Sequence, residues 1–154
     1  MWHSAIEPFE GVEDLGEVGR WVQCFSDNTF IRRAAEDAYA SLSVPDEAFV
    51  YIYRGFEWIV QGTGLSWKEL ASAIKVSPSH LRDLKKLANY ESGIRHASKS
   101  GHRVRAIFEN YATWACGLLE AISVARQKYD PSFGPMSAND VAAAVWAAAP
   151  PPFQ

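Results

Sequence analysis

An all-α fold is predicted by three features of this sequence. Apolar residues recur at helical spacing through most of its length, no segment sustains period-two alternation, and the breaks between periodic stretches carry helix caps. With 154 residues, 48% apolar and 21% charged, the chain has the make-up of one soluble globular domain with a sizeable core. Collagen-like, disordered and membrane-spanning architectures are excluded. The expected organisation is an acidic arm or linker over 1–25, a helical domain over 26–130 and a C-terminal extension over 131–154.

The first residues make a poor helix. Pro8, Gly11, Gly16 and Gly19 interrupt them, and five acids precede the first base, Arg20. Trp21, Val22 and Phe25 are the residues that would order the end of this arm. A first helix is expected to start from Ser26 or Asp27, with Phe30, Ile31, Ala34, Ala35, Ala38, Tyr39 and Leu42 on one apolar face. Pro45, followed by Asp46 and Glu47, suits the N-terminus of a second helix, which carries Phe49, Ile52, Tyr53, Phe56, Ile59 and Val60 and stops at Gly62 or Gly64. Ser66-Trp67-Lys68-Glu69 reads as a capping box opening a short third helix.

Ser77-Pro78 opens a fourth helix that runs to about Glu91. After the polar segment SGIRHASKSGH comes one long helix from about His102 to Tyr129, with Ile107, Trp114, Leu118 and Ile122 inward. At about 1.5 Å per residue it would span roughly 40 Å. Asp130-Pro131 ends it, and Ser137 with Asp140 caps a last alanine-rich helix.

Composition restricts function. The start, MWHSAIEPFE, lacks a basic region followed by an apolar run, and no stretch reaches the roughly 18 apolar residues of a bilayer span, so a cytoplasmic protein is expected. Cys24 and Cys116 stand far apart with no ligand spacing, and read as two small buried thiols. No HExxH, Walker-type loop or acidic metal cluster is present, so no cofactor or metal is expected. The net charge of −3 hides an asymmetry: Ser66 to Arg105 holds nine Lys/Arg against three Asp/Glu. His80, His96 and His102 fall in the same stretch. An anionic partner for the middle of the chain would explain this, and so would an acid-rich half packed beside a basic half.

Two constellations lie in the basic stretch. On the fourth helix, Arg82, Lys85, Lys86 and Asn89 fall within a sector of about 100°, opposite Leu81, Leu84, Leu87 and Ala88. That face leads into Arg95, His96, Lys99, His102 and Arg103. Arginine holds a phosphate bidentately and histidine moves a proton near neutral pH, the two needs of metal-independent RNA cleavage by a neighbouring 2′-hydroxyl. Arg95, His96 and His102 are the candidate catalytic residues; Arg82, Lys85, Lys86, Asn89, Lys99 and Arg103 are the candidate nucleic-acid contacts. A solvated charged face and a polar loop are the structural alternatives. Glu57, three residues after Arg54, reads as a helix-surface ion pair rather than a general acid.

From about Phe30 to Tyr129 the chain resembles the HEPN family of helical domains (higher eukaryotes and prokaryotes nucleotide-binding). The resemblance is carried by FIRRAAEDAYASL, by YRGFEWIV with its central Glu57, and by LRDLKKLANYESGIRHA before the long helix. Catalytic members carry an Arg, a polar residue and a His a few residues further on. Arg95, His96 and His102 meet that spacing at its upper limit, with Gly93 and Gly101 bracketing the motif and His96 competing for the histidine role. The segment ANYESGIRHASKSG is also similar to uncharacterised bacterial proteins, some labelled as methylamine-utilisation proteins. The resemblance implies an RNA- or nucleotide-binding module, homodimeric, with ribonuclease activity in its catalytic members.

A second resemblance overlaps the first. SWKELASAIKVSPSHLRDLKK resembles a DNA-binding helix-turn-helix, with Ala71 at the close-packed position, Ile74 and Val76 around the turn, and Leu81 and Leu84 in the second helix. Ser77, Ser79, His80 and Arg82 would face the major groove. Lys75 occupies the turn site where glycine is usual, because that residue often adopts a left-handed conformation. A DNA-binding regulator is therefore the alternative to the RNA module, and a protein-interaction domain is the third reading.

Overall fold

Among the described residues the chain forms seven helices and no strand: α1 (Leu15–Asp27), α2 (Thr29–Ser43), α3 (Ala48–Thr63), α4 (Trp67–Ala73), α5 (Pro78–Ile94), α6 (Gly101–Tyr129) and α7 (Ala138–Ala148). The structure, a computed structural model, describes residues 15–44, 47–94, 101–134 and 136–148, with side chains for 16–44, 47–86, 88, 113–134 and 136–147. The all-α architecture matches the periodicity. No helix among the described residues is long and apolar enough to cross a membrane.

The arm expected over the first 25 residues is helical from Leu15 onward. Gly16 and Gly19 weaken α1 by roughly 1 kcal/mol each relative to alanine. Burial of Trp21, Cys24 and Phe25 outweighs that cost, since each large apolar side chain contributes about 1.5–3 kcal/mol. The cap of α2 is Asn28 rather than Ser26 or Asp27: its side-chain oxygen accepts the Ile31 N–H at 3.1 Å. The buried stripe of α2 is Ile31, Ala34, Ala35 and Ala38, while Phe30, Tyr39 and Leu42, expected inward, lie at its exposed margins. Pro45 and Asp46 lie outside the described residues, and Ala48 is the first residue of α3.

Helices α2 and α3 pack antiparallel. Phe30 near the start of α2 meets Trp58 late in α3, and Asp37 meets Arg54 further along. Their contact depends on Gly62, where a Cβ would stand 2.5 Å from the Phe30 Cβ. The middle of α3 crosses α6 at Gly55, against which the fully buried Leu118 is seated. Trp114, expected inward on α6, is half-buried and meets Phe56 edge-on at 6.4 Å. Helix α1 packs on α2 and α7, and α7 on α6; α4 packs on α5 and α6, and α5 on α3. One core joins all seven helices, from Trp21 through Phe49, Phe56 and Ile122 to Val141.

Both cysteines are free, but only Cys24 is buried; Cys116 lies on the exposed side of α6, against the expectation of two buried thiols. Arg54 does not pair with Glu57. It reaches across to α2, where its Nε donates to both Asp37 carboxylate oxygens at 3.0 and 3.2 Å and its Nη2 also bonds Oδ1. Burial pushes the Asp37 carboxyl above its ordinary range, opposed by the Arg54 hydrogen bonds.

Candidate nucleic-acid interface

The basic middle of the chain folds into α4, a tight turn and α5. Helix α4 is short, and local bonds hold its start: Ser66 Oγ accepts the Glu69 N–H at 3.1 Å, and Glu69 Oε2 accepts the Ser66 N–H at 2.8 Å. This is the reciprocal capping box that the Ser-x-x-Glu spacing predicts.

The turn after α4 places Lys75 in the left-handed region, at φ 60°. The Lys75 N–H donates to the Ser72 carbonyl at 3.2 Å and the Val76 N–H to the Ala71 carbonyl at 2.9 Å. These two bonds form a Schellman motif, which satisfies carbonyls that the end of a helix leaves open. Glycine takes the left-handed position at no steric cost; here lysine takes it, and the surrounding packing holds it there. Val76 packs against the core just beyond. Ser77 then caps α5, its Oγ accepting the His80 N–H at 3.3 Å, with Pro78 at the first helical position.

Burial divides this unit into two faces. Leu70, Ala71, Ile74, Leu81 and Leu84 are buried. Ser77, Ser79, His80, Arg82, Lys85 and Lys86 are exposed. Every position that the helix-turn-helix resemblance assigns to the inside is inside or half-buried, and every position it assigns to the partner faces out. Lys86 stands 4.0 Å from Asp83, a pair so exposed that it contributes at most about 1 kcal/mol.

Beside this face lies a groove of about 370 Å³, lined by Tyr53, Trp67, Lys68, Pro78, Leu81, Arg82 and Lys85. The Tyr53 and Trp67 rings are stacked, with centroids 5.6 Å apart and planes within 4°. Burial raises the Tyr53 hydroxyl above its usual range, and the neighbouring Glu57 carboxylate adds to the shift. Two predicted contacts, Arg82 and Lys85, belong to this groove. The aromatic wall was not foreseen: Tyr53 read as a core residue and Trp67 only as part of a capping box. Nothing local in sequence brings together two rings on different helices.

The described side chains do not include the remaining predicted residues. Asn89 belongs to α5, and His102 and Arg103 to the first turn of α6; their side chains lie outside the described residues. Arg95, His96 and Lys99 lie outside them altogether. Among the described residues no group of three His, Cys, Asp or Glu side chains is placed to hold a metal ion. Comparison with family models, curated proteins and solved structures found no match to this chain. The functional reading therefore stands on the geometry of the site.

Proposed function

We propose that this chain binds duplex DNA through the outer face of the α4–turn–α5 unit, as a helix-turn-helix regulator. The observation that carries the reading is the left-handed Lys75 turn closed over Ala71, Ile74, Leu81 and Leu84, which leaves Ser77, Ser79, His80 and Arg82 exposed along one helix. The start of α5 would enter the major groove. Ser79 and His80 would read base edges, while Arg82, Lys85, Lys86 and Lys68 would neutralise phosphates. A homodimer is part of the proposal, because two units on two half-sites give the contact area that one short recognition helix lacks.

The test is equilibrium binding to duplex oligonucleotides over a range of salt. Arg82→Ala and Lys86→Ala are expected to weaken binding across sequences and to flatten its salt dependence by about one unit of slope each. Ser79→Ala and His80→Ala are expected to alter preference among duplexes. Absence of binding to either duplex DNA or RNA at low salt would leave the protein-interaction reading in its place.

The RNA reading is the second proposal, favoured by the position of His102 and Arg103 in the first turn of α6, where free backbone N–H groups attract phosphate. Cleavage by Arg95 with His102 or His96 would survive EDTA, leave a 2′,3′-cyclic phosphate and stop with a 2′-deoxy substrate. An Arg95→Ala protein as active as the parent would remove that reading.

A further inference from the structure

We propose that the groove between α3, α4 and α5 binds a small planar aromatic anion, and that this ligand competes with DNA for Arg82. The ring would lie against Tyr53, Trp67 and Pro78, and its carboxylate or phosphate would be held by Arg82 and Lys85. Only the competition rests on the duplex-binding reading; ligand binding stands without it.

Size is the first argument. A groove of about 370 Å³ lies near the lower end of the roughly 300–1,000 Å³ typical of small-molecule sites, which suits one or two fused rings with a short acidic group. The walls are the second. Tyr53 and Trp67 present a stacked pair of rings, and Pro78 and Leu81 add to the apolar lining. Such surfaces favour a planar ring over a branched or flexible body.

Charge decides the rest. Lys68, Arg82 and Lys85 line the groove, no acid is among its described lining residues, and none of the three cations has a carboxylate partner among the described residues. The nearby acids are occupied elsewhere: Glu69 in the α4 cap, Asp83 with Lys86, and Glu57 beside the Tyr53 hydroxyl. Glu57 makes the Tyr53 end unfavourable for a negative charge, so the anion belongs at the Arg82–Lys85 end. Arginine binds carboxylate and phosphate alike through paired N–H donors. Arg82 is exposed one turn beyond Ser79, on the same face of α5. An anion bound to it removes one phosphate contact from the proposed DNA surface and places bulk beside the recognition helix.

The experiment is a titration of the full chain followed by two-dimensional amide NMR, with indole-3-acetate and adenosine monophosphate as probes. Indole and inorganic phosphate serve as controls. The expected result is saturable shifts of the Trp67 indole N–H and of the Arg82 and Lys85 amides with at least one aromatic anion. Neither control should saturate at the same concentrations, and Arg82→Gln should weaken the probe at least tenfold. The carboxylate and phosphate probes then assign the acidic group. Absence of saturation with both probes, equal shifts with phosphate alone, or indifference to Arg82→Gln would overturn the ligand site. A bound probe that leaves duplex affinity unchanged would overturn the competition, whereas a chain that binds the probe and no duplex would overturn the DNA reading instead.

Discussion

Arg126 is the residue through which α6 reaches α1. It is 1% exposed, and its Nη1 donates to Glu17 Oε1 at 2.6 Å. Its guanidinium lies between the rings of Trp21 and Phe133, with Cζ 3.8 and 2.9 Å from their centroids. Among the described residues Arg126 Nε and Nη2 have no hydrogen-bond partner, and neither does Trp21 Nε1. Desolvation lowers the Arg126 pKa, and the Glu17 hydrogen bond opposes it. A buried charge of this kind costs more to leave unpaired than to replace. Glu17→Ala is therefore expected to destabilise by about 2 kcal/mol or more. Arg126→Met, which removes the charge and keeps most of the volume, is expected to cost under about 1.5 kcal/mol. Urea denaturation checks the pair, and equal losses would contradict the argument.

The two thiols make a second prediction at this scale. Burial pushes Cys24 up to about 11 from an ordinary value of 9.0, with Arg126 opposing the shift. Its folded pKa is the raised one, so its contribution to stability is complete below pH 9 and is lost as pH rises towards 11. A Cys24→Ala protein should show a shallower fall in stability across that window. In the native protein a thiol reagent at neutral pH should modify Cys116 rapidly and Cys24 only after unfolding. Rapid labelling of both would show that α1 does not hold Cys24 against the core.

At the level of elements, the α4–α5 unit combines what sequence can and cannot reveal. The Ser66 capping box and the Ser77-Pro78 start were legible because their partners lie within one turn of the chain. The left-handed Lys75 was anticipated only as a site where glycine is usual; tertiary packing of Ala71, Ile74 and Val76 holds lysine in that conformation. Helix α1 escaped notice because Gly16 and Gly19 lower local propensity, whereas the burial of Trp21 that stabilises it is long-range. The misplaced face of α2 has a similar origin: Phe30 and Leu42 fit the helical period, but the smaller Ala34 and Ala38 permit the close approach of α3.

Lys75→Gly tests the turn. Removing the left-handed strain, less the added freedom of the unfolded chain, is expected to stabilise by up to about 1 kcal/mol. Lys75→Val should destabilise, because a β-branched side chain resists positive φ. A lowered urea midpoint for Lys75→Gly would mean that this turn is not left-handed.

For the whole molecule, the division of charge corresponds to a division of structure. Ser66 to Arg105 carries the excess of basic residues, and its described part forms α4, α5 and the start of α6. Helix number and order in this region followed from periodicity. The groove did not, since it arises where α3 meets α4 and α5 and depends on contacts between distant residues. The proposed DNA face and the proposed ligand groove share Arg82, so binding and its control would be coupled through one side chain. The RNA reading places its chemistry instead beyond α5, at Arg95, His96 and His102.

The most direct test is an amide NMR titration of the full chain with a duplex oligonucleotide at low salt. Duplex binding through the α4–α5 unit predicts shifts concentrated on Ser77 to Lys86, with Lys68 and Lys75 following, and their loss in an Arg82→Ala, Lys86→Ala double variant. Shifts centred on His102 and Arg103, or absent from α5 while the duplex is bound, would contradict it.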